Sequence, residues 1–181
     1  MTTTIVTDET PRTPWPRVAL WTVPLVLGLG LLSGWLSNSG FTNGWFVALK
    51  KPWFMPPGWV FGAVWTTLYT LMGVALAMVI AAPPTRVRSV ALVLFAVQLI
   101  ANFAWSPVFF GMGRIDWAML LIIDLLLAVA VTIGFFWRVR PLAGALLLPY
   151  LAWLCLASAL NWEIGRLNPG ADMAPLGITG G

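Results

Sequence analysis

The chain has 181 residues, of which 60% are hydrophobic and only 9% are charged. Soluble domains usually carry about 25% charged residues, so this composition excludes a water-soluble globular protein and predicts an integral membrane protein. The net charge of +4 comes from scattered lysines and arginines, which argues against nucleic acid as a partner. The chain has no histidine and a single cysteine, Cys155, which excludes a Ser-His-Asp triad and a cluster of Cys and His metal ligands.

Five apolar runs follow a polar, proline-containing segment over residues 1–17, which predicts a disordered N-terminal tail. Each run is long enough to cross about 30 Å of hydrocarbon. We predict spans at about 18–36, 59–81, 87–110, 117–137 and 142–162, and a C-terminal tail over 169–181. The last three connections are short, so successive helices must be antiparallel neighbours. The fold class is an all-α integral membrane protein, a five-transmembrane-helix bundle within residues 18–168.

The connection over residues 37–58 is the one long loop, and it ends in the stretch KKPWFMPPG. Long loops in compact proteins are usually lids or binding segments. The balance of lysine and arginine between the two sides, six against four, favours a cytoplasmic N-terminus. The six are Arg12, Arg17, Arg86, Arg88, Arg138 and Arg140, and the four are Lys50, Lys51, Arg114 and Arg166.

Three spans carry a helical stripe that mixes large aromatic side chains with amides or hydroxyls. Packing between helices explains any one stripe, but three stripes and a tryptophan-rich loop predict a cavity for a flat, mostly apolar ligand. Tryptophans near span ends are typical of an interface belt, which explains Trp45, Trp53, Trp65, Trp105 and Trp153 less well. The stripes are Phe61, Trp65, Tyr69 and Met72; Gln98, Asn102, Trp105 and Phe109; and Tyr150, Trp153, Ala157, Leu160 and Asn161.

Two further features of the spans, a charged residue and a pair of glycines, predict contacts with another helix. Asp124 lies deep in the fourth span, where a charge costs about 2.5–3.5 kcal/mol, so we expect it to face protein in a helix–helix hydrogen bond or to be protonated. A proton relay is the alternative, but the spans offer no second carboxylate or histidine to continue it.

Gly30 and Gly34 have the spacing that allows close helix approach, within the chain or in a dimer.

Four separated segments resemble the TspO/MBR family, which includes the tryptophan-rich sensory proteins, the translocator proteins and the peripheral-type benzodiazepine receptors. They are KPWFMPPGWVFGAVWTTLYTLMG at 51–73, QLIANFAWSPVFFG at 98–111, WAMLLIIDLLL at 117–127 and PYLAWLCLASALNWEIGRLN at 149–168. The resemblance implies a five-helix bundle, often a homodimer. It also implies a pocket beneath the first loop that binds porphyrins such as protoporphyrin IX or haem, sterols, or synthetic isoquinoline and benzodiazepine ligands.

The resemblance also implies a set of pocket residues. The loop contributes Trp45, Phe46 and Pro56, and the spans contribute Trp65, Asn102, Trp153 and Ala157. The aromatic segment and the stripes add Trp53, Tyr69, Trp105 and Leu160 as ligand-binding candidates.

Some positions carry further implications or depart from the family. Trp45 and Trp153 match the two tryptophans proposed to react with porphyrin, and no other catalytic residue is assigned. Phe46 replaces a frequent tyrosine, and Trp162 stands where a cholesterol-recognition pattern has tyrosine. In this interpretation the prolines stiffen the loop, and Lys50 and Lys51 attract the propionates of the ligand.

The leading function is a membrane receptor or sensor that binds porphyrin and regulates tetrapyrrole metabolism or a stress response. The alternatives are a light- and oxygen-dependent porphyrin-degrading enzyme and a porphyrin or sterol transporter. We expect no obligatory cofactor and no metal, with a porphyrin as ligand. The expected partners are the lipid bilayer of a bacterial cell membrane, inner or outer, and a second copy of the chain.

Overall fold

The computed structural model describes residues 14–172. Five helices in this range are long and apolar enough to cross a membrane, and no strand occurs within it, which confirms the predicted all-α bundle of five transmembrane helices. The protein is an integral, multi-pass membrane protein. Its helices are α1 (Trp15–Leu36), α2 (Gly44–Ala48), α3 (Gly58–Ile80), α4 (Arg86–Ser106) with a π-helical turn (Pro107–Gly111), α5 (Ile115–Val139), α6 (Pro141–Ala145) and α7 (Leu148–Leu167).

The first helix begins at Trp15, so the prediction that residues 15–17 belong to a disordered tail was wrong. Pro14 is the N-cap and Pro16 lies in the first turn. Proline is well tolerated there, because the first N–H groups of a helix have no partner inside it and the ring already holds the required φ angle. The rest of the predicted tail, residues 1–13, lies outside the described residues.

The third span ends in the π-helical turn because of Pro107. Proline has no N–H to donate to the carbonyl four residues earlier, which is that of Phe103. Ser33 of α1 takes its place, since its Oγ donates to the Phe103 oxygen at 2.7 Å. The wider turn then closes with the Met112 N–H donating to the Pro107 oxygen at 2.9 Å. The proline thus creates a hydrogen-bonding contact between α1 and α4.

The fifth span was predicted as one helix over 142–162, but the structure divides it into α6 and α7. Pro141 and Pro149 each occupy the first turn of a helix, which starts the two helices separately. Gly144 allows the sharp corner with α5, because a Cβ there would lie 3.0 Å or less from the backbone of Trp137. Both irregularities, this one and the π turn, lie near span ends.

Helices α1 and α3 pack with their backbones in close contact. A Cβ on Gly73 would lie 2.6 Å from the Cα of Val23, and Thr22 Oγ1 donates to the Gly73 oxygen at 2.8 Å. Gly30 faces the ring of Tyr69 so closely that a Cβ would overlap it. The small residue at position 30 therefore serves a contact within the chain.

The bundle has a filled half and a hollow half. The buried core lies towards the α3–α4 turn, where Met72, Ala75 and Val79 of α3 pack with Phe95 of α4 and Phe136 of α5. The rings of Phe95 and Phe136 stack at 5.5 Å. Towards the long first loop, the cavity described below lies among the helices. Packing in the filled half fixes the positions of the helices that surround the cavity in the hollow half.

Asp124 does not face protein within the chain. It is exposed on the outer side of α5, and none of the hydrogen bonds or ion pairs within residues 14–172 involves it. The predicted helix–helix hydrogen bond inside the chain was wrong, because α5 instead turns its neighbours Ile122 and Leu125 to the core.

Candidate ligand-binding site

A cavity of about 550 Å³ occupies the half of the bundle nearest the first loop. Ligand pockets for small organic molecules span roughly 300–1,000 Å³, so the size is appropriate for one such ligand. Every lining residue is uncharged. The lining consists of Gly30, Leu31, Gly34, Trp35, Asn38, Ser39, Gly40, Phe41, Thr42, Phe46, Gly58, Phe61, Gly62, Trp65, Tyr69, Asn102, Trp105, Ser106, Phe110, Ile122, Leu125, Trp153, Leu154 and Ala157.

A chain of buried hydrogen bonds joins three helices beside this cavity. Tyr69 Oη of α3 donates to Asn102 Oδ1 of α4 at 2.9 Å, and Asn102 Nδ2 donates to Tyr150 Oη of α7 at 2.8 Å. An amide satisfies both phenols because it carries an acceptor and a donor at once. Asn102 therefore sets the relative positions of α3, α4 and α7 at the level of the cavity.

Aromatic rings build one wall of the cavity. Trp65 stacks on Tyr69 with ring centroids 5.1 Å apart, and Trp153 meets the edge of Phe61 at 5.6 Å. The rings of Trp65 and Trp153 are 6.4 Å apart and nearly perpendicular. Within residues 14–172 neither of these indole N–H groups donates a hydrogen bond, whereas that of Trp105 donates to the Ala118 oxygen. The wall thus offers apolar area and two indole donors to a ligand.

Glycines leave room at several positions of the cavity lining. Gly30 and Gly34 on α1 and Gly58 and Gly62 on α3 all line the cavity. A Cβ on Gly58 would lie 2.9 Å from the ring of Phe41, while one on Gly62 would meet nothing within 4 Å. Glycine therefore lets the loop approach α3 at one position and leaves open space at the other.

The first half of the loop covers the cavity. Residues 38–42 and Phe46 line it, and Phe46 packs its buried ring against Phe41, Phe109 and Phe110. Asn43 caps α2 by accepting from the Phe46 N–H at 3.0 Å, and its Nδ2 donates to the Phe110 oxygen at 3.1 Å. These contacts fix the cover against the end of the third span.

The chain segment after α7 holds the loop from the other side. Asn168 exchanges two hydrogen bonds with the backbone of Lys50, at 2.8 and 2.9 Å, and the Trp45 indole donates to the Ala171 oxygen at 3.2 Å. Asp172 accepts from the Ile115 N–H at 2.7 Å and lies 3.6 Å from Arg114 Nε. We call residues 168–172 the strap, because they connect the loop with the start of α5.

Lys51 has a role that differs from the predicted one. Its ammonium donates to the carbonyl oxygens of Phe46, Val47 and Leu49, and it lies 4.8 Å from the centre of the Phe46 ring. Burial lowers the pKa of Lys51 from its ordinary value, because desolvation disfavours the charged form. With its donors used by the end of α2, Lys51 stabilises the loop and cannot serve a ligand's acid groups. Lys50 has an exposed side chain.

The structure brings together seven of the eleven predicted site residues and leaves four outside the cavity. The seven that line it are Phe46, Trp65, Tyr69, Asn102, Trp105, Trp153 and Ala157. Trp45 packs against Phe109 with its indole bonded to the strap, and Trp53 is 95% exposed. Pro56 is half-buried in the second half of the loop, and Leu160 is buried beyond the cavity. The KPWFMPP stretch at 51–57 contributes no residue to the lining.

Sequence reasoning missed the contribution of α1 and of residues 38–42. The two glycine pairs were the available signal, because 30 and 34 and likewise 58 and 62 are four residues apart and lie on one helical face. Phe61 was recognised in a stripe but not as a site residue. Residues 38–42 carry no pattern of their own, since their position depends on the fold of the loop.

The described lining of the cavity is mostly apolar and uncharged. Among residues 14–172, no three His, Cys, Asp or Glu side chains are grouped so as to hold a metal ion. The lining offers indole and phenol rings, a few amides and hydroxyls at the mouth, and no charge. A flat ligand with apolar faces fits this description, with any ionised groups left at the mouth beside water.

Comparison with known proteins finds similarity to the TspO/MBR family along most of the chain. The TspO/MBR family model matches residues 22–167. The tryptophan-rich sensory protein of Cereibacter sphaeroides is 44% identical over 124 residues, which cover 68% of this chain and 77% of that protein. Protein CrtK of Rhodobacter capsulatus is 41% identical over 127 residues, covering 70% and 79%. The translocator protein of Homo sapiens is 39% identical over 162 residues, covering 87% and 93%.

Proposed function

Because the chain belongs to the TspO/MBR family, we propose that it is a membrane receptor or sensor that binds a porphyrin in the cavity under its first loop. In this proposal it resides in a bacterial cell membrane and regulates tetrapyrrole metabolism or a stress response. The relative named tryptophan-rich sensory protein supports the sensor role.

One observation carries the proposal: the cavity is uncharged, lined by aromatic rings and covered by an anchored loop. A porphyrin is a broad apolar disc whose faces stack on indole and phenol rings, as Trp65, Tyr69 and Trp153 can provide. A cover already fixed by Asn43 and Asn168 loses little entropy when a ligand binds, which favours affinity.

The metal-free macrocycle matches the lining better than haem does. Protein haem sites usually supply an axial His, Cys, Met or Tyr to the iron. The lining contains no His, Cys or Met, and the hydroxyl of its one tyrosine, Tyr69, is bonded to Asn102. Protoporphyrin IX is therefore the preferred ligand of the proposal, and haem should bind more weakly.

Titration of protoporphyrin IX into purified protein, followed by the absorbance of the porphyrin, tests the proposal. Trp65→Ala and Trp153→Ala remove rings that line the cavity and should each weaken binding by about tenfold, which corresponds to about 1.4 kcal/mol. Trp59→Ala and Trp162→Ala are matched controls on the same two helices, since both side chains are exposed. Unchanged affinity in both cavity variants would reject this site.

A porphyrin-degrading activity is a second candidate, favoured by the two indoles of Trp65 and Trp153 on one cavity wall. Light-excited porphyrin and dissolved oxygen would supply the oxidant, and an indole would act as redox partner. Illumination of aerobic protein with protoporphyrin IX should then give a new bilin-like absorbance that Trp153→Phe abolishes. A spectrum unchanged by illumination would leave binding as the function.

Transport of a porphyrin or sterol is a third candidate, favoured by the name translocator protein of the human relative. Directional uptake of protoporphyrin IX into vesicles that contain the protein would support it. Equal uptake with and without protein would exclude it.

A further inference from the structure

A second, shallower hollow of about 540 Å³ lies on the outside of the bundle between α3 and α7. We call it the outer groove, and its walls include Ala63 and Thr67 of α3 and Ala152, Trp153 and Leu156 of α7. Every residue that lines it is uncharged. The hydroxyl of Thr67 already donates to the Ala63 oxygen of its own helix at 2.9 Å. The groove therefore offers an apolar surface with no demand for a polar partner.

The outer groove lies at the depth of the lipid chains. Its α3 wall extends over residues 63–68, which are about 8–15 Å along the axis from the start of α3 at Gly58. Trp59 exposes its indole near that start, as is typical of the membrane interface. Ala63 and Ala152 are exposed on the two walls. The groove is thus in contact with lipid chains and with any apolar molecule dissolved among them.

Trp153 separates the outer groove from the cavity under the first loop. It is the one residue that belongs to both linings. Its ring contacts Phe61 at 5.6 Å and Trp65 at 6.4 Å, and both of those residues line the cavity. A single side chain therefore forms the partition between an internal space and a lipid-facing one.

The boundary between α3 and α7 is closed by side chains and not by backbone packing. The backbones of α1 and α3 are in close contact at Gly73, whereas those of α3 and α7 hardly approach each other. Aromatic rings fill the gap, since Trp65 meets Tyr150 at 6.2 Å and Trp153 at 6.4 Å. A side chain can change its rotamer while both helices stay in place, so this boundary can open locally.

Trp153 is held in the boundary by apolar contacts. Its indole N–H donates no hydrogen bond within residues 14–172, whereas the indole of Trp105 donates to a backbone oxygen. Trp65 also lacks such a bond, but it stacks on Tyr69, whose hydroxyl is itself bonded. The groove beside the small Ala152 gives the Trp153 ring space on the lipid side. Rotation of this ring breaks no hydrogen bond to the described residues.

We propose that the outer groove is the entry site at which the cavity takes up its ligand from the bilayer, and that Trp153 turns aside to admit it. The inference rests on the proposed function, since it requires a ligand in the cavity. The ligand class is a flat, apolar molecule dissolved among the lipid chains. Its ring passes between α3 and α7 while its acid groups stay at the level of the first loop, beside water. The hydrogen bonds of Asn43 and Asn168 that hold the cover persist during uptake.

Filling the outer groove should slow the exchange of ligand and leave its affinity unchanged. Ala152→Trp places an indole in the groove and not in the cavity. The same route serves entry and exit, so association and dissociation of protoporphyrin IX should both slow by about tenfold, with the Kd of the parent protein. Ala63→Trp fills the groove from α3 and should act alike. Ala159→Trp is the matched control, because Ala159 is exposed outside the groove, about two turns further along the same face of α7.

Stopped-flow mixing of protoporphyrin IX with the protein in lipid nanodiscs measures association through porphyrin fluorescence, and a chase with empty nanodiscs measures dissociation. Empty nanodiscs alone give the rate at which the porphyrin enters lipid. Parent rates in both groove variants, with binding retained, would overturn the entry site and leave the proposed function intact. Weaker binding in Ala152→Trp without slower association would also overturn it, because the groove would then contribute to the bound state. Absence of binding in the parent protein would reject the proposed function and this inference together.

Discussion

At the scale of single residues, a few buried polar contacts decide the shape of the cavity. Asn102 connects the buried Tyr69 and Tyr150 through one acceptor and one donor. Ser33 and Thr22 donate to backbone oxygens of neighbouring helices. In lipid the hydrophobic effect does not drive helices together as it does in water. Hydrogen bonds between helices therefore contribute more to their association.

Replacement of Asn102 by leucine should destabilise the bundle and disturb the cavity. Asn102→Leu leaves two buried phenols without their partner, at a cost of about 1–3 kcal/mol in the free energy of unfolding. Thermal unfolding in detergent measures the loss. Ser158→Ala is the control, because Ser158 bonds only to its own helix, and it should change stability by less than about 0.5 kcal/mol. Equal melting temperatures for both variants would contradict the assigned role.

Most of the site residues predicted on helices line the cavity, and most of those predicted in the loop do not, although Leu160 of α7 lies outside the lining and Phe46 of the loop belongs to it. Trp65, Tyr69 and Asn102 were found because helical spacing shows which side chains share a face. Trp45 and Trp53 were misplaced because the direction of a loop side chain depends on its tertiary contacts. For Trp45 that contact is the strap at Ala171, which no local pattern indicates.

At the scale of helices and loops, the α1–α3 contact and the strap hold the cavity and its cover in place. Gly30 allows the ring of Tyr69 to lie close to α1, and Gly34 and Gly62 leave space in the cavity lining beside it. The strap and Asn43 hold the loop at its two sides. The cavity is thus maintained by close packing at one end and by hydrogen bonds at the other.

A methyl group on Gly30 should force α1 and α3 apart. The Cβ of Gly30→Ala would overlap the Tyr69 ring, which is fixed by its own hydrogen bond. We expect a loss of about 1–3 kcal/mol in the free energy of unfolding, as for other overpacked cores. Gly28→Ala is the control on the same helix, because its Cβ would meet nothing within 4 Å. A melting temperature in Gly30→Ala as high as that of Gly28→Ala would be inconsistent with this packing.

Loss of the strap contact should loosen the loop. Asn168→Ala removes both hydrogen bonds to the Lys50 backbone, so amide hydrogen exchange over residues 44–51 should become faster. Glu163→Gln changes an exposed ion pair on the same helix and should leave exchange in the loop unaltered. Unchanged loop protection in Asn168→Ala would show that Phe46 and Asn43 suffice to hold the cover.

Hydropathy predicted the boundaries of the second span, which is a continuous helix. It did not predict the interruptions in the third and fifth spans. The second span agrees within one residue at each end, because the chain leaves the membrane there in proline-rich turns. The π turn after Ser106 and the division of the fifth span depend on where freed carbonyls find donors. Ser33, the donor to Phe103, lies 70 residues away in the sequence.

At the scale of the whole molecule, one end of the bundle is packed solid and the other encloses a ligand-sized space. The composition and four family motifs were enough to predict the five-helix fold. The position of the cover, the roles of Lys51 and the strap, and the outward direction of Asp124 required the structure. The cover and the strap depend on contacts between segments that are distant in sequence, whereas Lys51 bonds to carbonyls of its own loop.

The central claim is that a ligand occupies this space, and a cavity-filling pair of variants tests it most directly. Ala157 lines the cavity on α7, while Ala159 on the same helix is exposed to lipid. Ala157→Phe should place a ring in the cavity and weaken protoporphyrin IX binding by at least about tenfold, whereas Ala159→Phe should bind as the parent protein does. Full affinity in a folded Ala157→Phe protein would contradict the account.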